Sequence, residues 1–178
     1  MASTCHEVPK GLVCWATAMI LVLLGTNPYP FPRLLNAVSA YGAATGVRVI
    51  AQTGRSSPVS GVECRAFINH ADLVELIGQA EVVVAQGGFG SLLDCVRRGA
   101  RTVAVPRDKR LVECADDQFE LVRALESEGA VVGLYEVEDL GSAIERARQM
   151  TPLPSKTSKL PTHVAATIHS LTRGRTNA

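Results

Sequence analysis

Six short apolar runs, each closed by a turn signal and most followed by a stretch of helical spacing, constrain this chain more than any other feature of its sequence. They span residues 19–24 (MILVLL), 47–51, 64–68, 81–85, 101–105 and 130–134. Apolar runs of this length read as strands covered on both faces, which is the pattern of a parallel sheet. The spacing between them predicts helices over 32–45, 92–98, 116–128 and 138–150. Pro32 suits a first helical turn and Gly46 a helix end. A further helix opens at Asn69, with Asp72 three residues on, buries Leu73, Leu76 and Ile77, and closes at Gly78. Strands alternating with helices through short connections imply a doubly wound, Rossmann-like α/β fold. Its mostly parallel sheet has about six strands, with helices on both faces.

Composition agrees with one such domain. The chain has 178 residues, and aromatics make up only 4%, so the core is built from Val, Leu, Ile and Ala. The net charge of +1 argues against a nucleic-acid binder that relies on bulk charge. The charge is uneven: from Thr151 onward there are Lys156, Lys159, Arg173 and Arg175 and no acid. That basic tail reads either as a solvated end or as a contact for anionic lipid or an acidic partner. Residues 151–161 read as a linker and 162–171 as a terminal helix. Cys5, Cys14, Cys64, Cys95 and Cys114 form no CxxC pair and are odd in number. Neither a disulfide framework nor a zinc site is expected, and idle thiols in a reducing compartment fit best.

Residues 1–18 read as an extension ahead of a domain spanning 19–150. Lys10 and the uncharged stretch after it also admit a signal-peptide reading. A buried strand accounts better for 19–24, because Gly25-Thr26-Asn27-Pro28 follows as a turn and no small-residue cleavage site does.

In a doubly wound sheet, ligands bind at the carboxyl ends of the strands. Chemistry is therefore sought in segments 25–32, 52–55, 68–69, 86–91 and 106–118. The sharpest signal is Gln86-Gly87-Gly88-Phe89-Gly90-Ser91, a glycine-rich turn between a strand and a helix. Glycines let backbone N–H groups approach an anion, and the helix start adds free donors and positive partial charge. The turn is neither a P-loop nor the GxGxxG fingerprint, and a tight turn alone also accounts for its glycines. Asp94 suits a ribose hydroxyl or simple dipole compensation, and Gln118 suits sugar hydroxyls. Gly25-Thr26 is a second candidate anion contact. His6, His70, His163 and His169 lie far apart and read as surface or interface residues rather than catalytic ones.

Taken in order, these motifs resemble the nucleotide-sugar-binding domain of glycosyltransferase family 28, a single lobe of the two-lobe GT-B type. The likeness runs from MILVLLGTNPYPFPRLL through EVVVAQGGFGSLLDCVRRGARTVAVP to DDQFELVRALESEGAVV. It is nearest to the family's small one-domain members. These are the catalytic subunit of the two-subunit N-acetylglucosaminyltransferase of the dolichol pathway, and bacterial exopolysaccharide glycosyltransferase subunits.

The resemblance implies a role for each matched residue. Gly25 and Thr26 would face the diphosphate, and Gln52 and Gly54 would line the donor site. Phe67 and Ile68 would read the uracil through the backbone. Gly87, Gly88, Gly90 and Ser91 would form the donor loop, Asp94 would lie near the ribose, and Gln118 and Glu120 would meet the sugar. Gln86 stands where the family usually has His, so it keeps a polar group but cannot shuttle a proton, and no catalytic residue is identified. The stretch before Gln118 is also altered, to Asp116-Asp117.

The implied reaction is inverting transfer of a hexose, of N-acetylglucosamine or glucuronic acid type, from a UDP-sugar to a lipid-linked acceptor. It needs no metal and no cofactor. The implied acceptor half is a membrane-anchored partner subunit, which would hold this chain in the cytoplasm at the membrane periphery. Other readings of the same sequence are an inactive nucleotide-sugar-binding module, a regulatory or oligomerisation domain that binds no nucleotide, and a UDP-sugar epimerase. The epimerase would require a second lobe.

Overall fold

The computed structural model describes residues 19–151. The expected extension over 1–18 and the linker and helix after Thr151 lie outside them. The described residues form a six-stranded, all-parallel sheet. Its strands are β1 (Met19–Leu23), β2 (Arg48–Gln52), β3 (Glu63–Arg65), β4 (Val82–Gln86), β5 (Thr102–Val105) and β6 (Val132–Gly133). Their order across the sheet is β3-β2-β1-β4-β5-β6. Five helices connect or follow them: α1 (Pro32–Thr45), α2 (His70–Gln79), α3 (Phe89–Arg97), α4 (Phe119–Ser127) and α5 (Leu140–Gln149).

Strand periodicity divides the core into two layers. Ile20, Val22, Val49, Val82, Val84, Val103 and Val105 face Leu34, Leu35 and Val38 of α1 and Ala143, Ile144 and Ala147 of α5. Their neighbours Met19, Leu21, Leu23, Ile50, Val83, Ala85 and Ala104 face α2, α3 and α4, through Leu73, Ile77, Leu92, Val96, Val122 and Leu125. All five residues of β1 and all five of β4 are buried. That is why these strands are continuous apolar runs in the sequence.

The structure moves several expected boundaries. The third strand is Glu63–Arg65 rather than 64–68, and Phe67 lies beyond it, exposed. This strand is at the sheet edge, paired only with β2, so it needs neither length nor an apolar run. Helix α2 continues through Gly78 to Gln79, because no backbone requirement at Gly78 stops it. Helix α3 begins at Phe89 rather than 92, which places Gly90 and Ser91 inside its first turn. Helix α4 begins at Phe119 rather than 116. There the Asp117 side chain instead turns back to accept the Phe119 N–H at 2.8 Å.

The cap of α2 is as expected. The Asn69 side-chain oxygen accepts the Asp72 N–H at 3.0 Å, with Asn69 itself extended. Asn69→Ala is expected to lower stability by about 1 kcal/mol, read as a shift in the urea midpoint at constant slope. An unchanged midpoint would show that the cap contributes nothing.

Candidate functional site

The strand order reverses between β1 and β4, and at such a switch point the two following loops diverge and leave a crevice. The loop after β1 carries Gly25-Thr26-Asn27, and the loop after β4 runs directly into α3. Between them and the β3–α2 connection lies a cleft of about 380 Å³, lined among others by Gly25, Thr26, Gln52, Ile68, Gln86 and Ser91. A second cleft, about 600 Å³, lies on the other side of Gly88-Phe89 and shares Asn27, Gly88 and Phe89 with the first. Gly87 and Gln118 line this second space. The start of α3 thus projects between two adjoining hollows.

The N-cap of α3 is Gly88, which has no side chain to satisfy the helix start. Leu92 donates to the Gly88 carbonyl at 3.2 Å. The N–H groups of Phe89, Gly90 and Ser91 precede that bond and have no intrahelical acceptor. Three donors and the positive end of the helix dipole therefore sit at the junction of the two clefts.

Three glutamines surround this point, and each is oriented by an interior donor. Gln52 Oε1 accepts the Ile68 N–H at 3.1 Å. Gln86 Oε1 accepts from Arg107 Nε. Gln118 Oε1 accepts the Arg107 backbone N–H at 3.1 Å. An N–H partner requires an oxygen opposite it, so the amide orientations are assigned by the network. In each case the Nε2 group is left over. Gln52 and Gln86 are 5% and 6% exposed and end β2 and β4, on either side of β1.

Gly25 sits between those two strands with φ +70, and a Cβ there would fall 1.8 Å from Gln86 Nε2. Gly54, at φ +57, lies behind the cleft lining, where a Cβ would meet the Gly25 carbonyl at 2.5 Å. Its glycine serves the packing of the β1 loop. Gly87 is likewise crowded, by Val122 and Gln118 of the neighbouring element.

Sequence reasoning missed the residue that ties these loops together. Arg107, 1% exposed, lies immediately after β5 and Pro106. Its Nη1 donates to the carbonyls of Tyr29, Pro30 and Glu113 at 3.0, 3.2 and 2.9 Å, and its Nη2 to that of Leu24 at 2.8 Å. Its guanidinium also lies 4.4 Å from the centre of the Phe31 ring. Burial pulls its pKa down to about 10, against the opposing pull of Glu113, so it remains a cation at neutral pH. The only signal in the sequence is an arginine at a strand end, which reads equally well as a solvated loop residue. The same loop is strapped to α1 by Glu113, which takes Arg33 Nε at 2.8 Å and the Asp108 N–H at 3.0 Å.

The remaining expected site residues are placed as follows. Asp94 lies one turn along α3, outside the cleft linings, and its carboxylate is 3.2 Å from His70 Nε2, which does line the first cleft. Glu120 is exposed in the first turn of α4 and lines neither cleft. The Ile68 N–H is taken by Gln52 Oε1, so among the backbone groups of Ile68 it is not open to a ligand.

A crevice at the switch point of a doubly wound sheet, with an uncapped helix start in it, is where sheets of this class bind their ligands. No protein-family model matches the chain, and no curated protein matches it significantly. Solved structures do. The calicheamicin glycosyltransferase CalG4 is similar at 18% identity and a TM-score of 0.62, over 90% of this chain and 45% of that one. The glycosyltransferase of kitacinnamycin is similar at 18% and 0.61, over 84% of this chain and 39% of that one. MurG of Acinetobacter baumannii is similar at 13% and 0.52, over 86% and 50%. The described fold is therefore that of one lobe of GT-B glycosyltransferases, and the chain spans half or less of the length of these structures.

Proposed function

We propose that this chain is the donor-binding half of a sugar transferase, holding a UDP-sugar across the two clefts. The observation that carries the reading is the uncapped N-terminus of α3 at the switch point, flanked by the Gln52 and Gln86 amides. A diphosphate placed there would accept from the Phe89, Gly90 and Ser91 N–H groups. The nucleoside would lie in the first cleft toward Ile68 and Phe67, and the hexose in the second, toward Gln118.

In the reaction, an acceptor hydroxyl attacks the anomeric carbon while the bond to the diphosphate oxygen breaks, inverting that centre. Negative charge grows on the departing diphosphate, where the preorganised donors of α3 are aimed. The acceptor and the general base are assigned to a second, membrane-attached subunit, with a lipid-linked acceptor. Support comes from where the large apolar side chains remain exposed. Phe67 (68%), Phe89 (40%), Leu111 (58%) and Val112 (71%) all follow strands, on the edge that carries the clefts. Val112 even holds a left-handed backbone at φ 58, unfavourable for a β-branched residue. Among the described residues no helix is long and apolar enough to cross a membrane.

Calorimetry of the chain with UDP tests the reading. Binding is expected, and Ser91→Ala, at a residue that lines the first cleft, should weaken it by about fivefold, the worth of one hydrogen bond near 1 kcal/mol. Absence of binding at millimolar UDP, alone and with its partner, would refute the assignment and leave the glycine turn as a structural feature.

A further inference from the structure

Among the buried polar groups, Arg107 and Gln86 stand apart. The guanidinium of Arg107 is fully buried, yet every hydrogen-bond acceptor around it is neutral: four backbone carbonyls and the Gln86 amide oxygen. Among the described residues it forms no salt bridge, since the Glu113 carboxylate is turned to Arg33. A buried cation with no carboxylate in hydrogen-bond contact is costly unless negative charge is supplied from elsewhere.

Among the described residues, Gln86 is the one side chain that both accepts from this cation and lines the cleft. It is 94% buried, being 6% exposed. Its Oε1 is fixed by Arg107, and its Nε2 has no acceptor among the described residues while the residue lines the first cleft. No buried side-chain nitrogen or oxygen there lacks a partner, so this Nε2 reaches the cleft surface rather than being sealed within the core. Glycines stand on both sides of it. A Cβ would lie 1.8 Å from Nε2 at Gly25 and 3.0 Å at Gly88. A donor is thus held beside the free N–H groups of α3, with room kept open around it.

We infer that Arg107 is a positioning residue that delivers a buried positive charge to the donor's diphosphate through the Gln86 amide. The chain runs from Arg107 Nε–H to Gln86 Oε1, and from Gln86 Nε2–H to a phosphate oxygen. Donation to an amide oxygen polarises that amide and strengthens its own N–H as a donor, the cooperativity of linked hydrogen bonds. Neither link titrates near neutral pH, so the arrangement supplies charge to the leaving group without a protonated histidine. The inference rests on the donor-site reading above and deepens it.

The test uses UDP and uridine as paired ligands, with and without the phosphates, followed by calorimetry and saturation-transfer NMR. Gln86→Glu keeps an oxygen for Arg107 and gives it a carboxylate, so the melting temperature should hold or rise. It also turns an acceptor anion toward the phosphates. UDP affinity should fall by about tenfold to a hundredfold, the range for a charge-assisted hydrogen bond, while uridine binding is unchanged. Arg107→Met should likewise lower the ratio of UDP to uridine affinity and flatten the salt dependence of UDP binding. Should Arg107→Met fail to fold, Gln86→Glu alone decides. Equal UDP binding by Gln86→Glu and the wild type would overturn the inference, as would parallel loss of UDP and uridine, which marks a merely structural role. A wild-type chain that binds neither ligand overturns the donor reading itself, and this inference with it.

Discussion

Replacing Arg107 by alanine is expected to lower the unfolding free energy by about 3–5 kcal/mol, a severe loss for a chain of this size. The guanidinium ties the end of β1, the 29–31 segment, the end of β4 and the 106–118 loop to one another. Removing it strips the partner from four carbonyls and one amide oxygen, each costing about 1–3 kcal/mol if left unsatisfied in the interior. Water entering the vacated space recovers part of that, which is why the expected total is below the sum. It also removes the cation that packs on Phe31, itself fully buried. Equilibrium urea unfolding checks the value. A loss under about 1 kcal/mol would mean that the loops hold their places without this residue.

The second large effect is expected from Gly25→Ala. The position has φ +70, where an L side chain costs about 1–2 kcal/mol. The added methyl would also lie 1.8 Å from Gln86 Nε2, a distance no contact tolerates. Gln86 cannot simply withdraw, because its oxygen is held by Arg107 and the side chain is buried. Either the β1 loop moves or the amide loses its aim. A destabilisation of about 2–4 kcal/mol is expected. UDP affinity should fall by about a hundredfold, the joint loss of loop geometry and one donor. Gly90→Ala is the control for stability: Gly90 is helical and a methyl there meets nothing within 4 Å, so the melting temperature should not fall. If Gly25→Ala melts and binds UDP as the wild type does, the crowding at Gly25 is not a constraint in solution.

The sequence by itself determined the fold class, because burial on both faces leaves a mark that needs no partner to be seen. Runs such as MILVLL and EVVVA admit few structures other than central parallel strands, and the glycine-rich turn after the fourth strand fell where the crevice opens. Local chemistry was legible in the same way, as with the Asn69 cap and the Gly46 helix end, since those interactions span only a few residues.

The extent of β3 and the start of α3 were not legible. An edge strand needs no apolar run, and the first turn of α3 is made by Phe89, Gly90 and Ser91, residues that look like loop. The tertiary structure alone decided the polar wiring of the site. Arg107 meets Leu24, 83 residues away in the chain, and Gln86, 21 away. His70 meets Asp94 across 24 residues. No periodicity encodes such pairs, because a hydrogen bond between distant segments depends on where the sheet brings them. Apolar burial is a property each segment carries alone, whereas the aim of an amide belongs to the assembled loops.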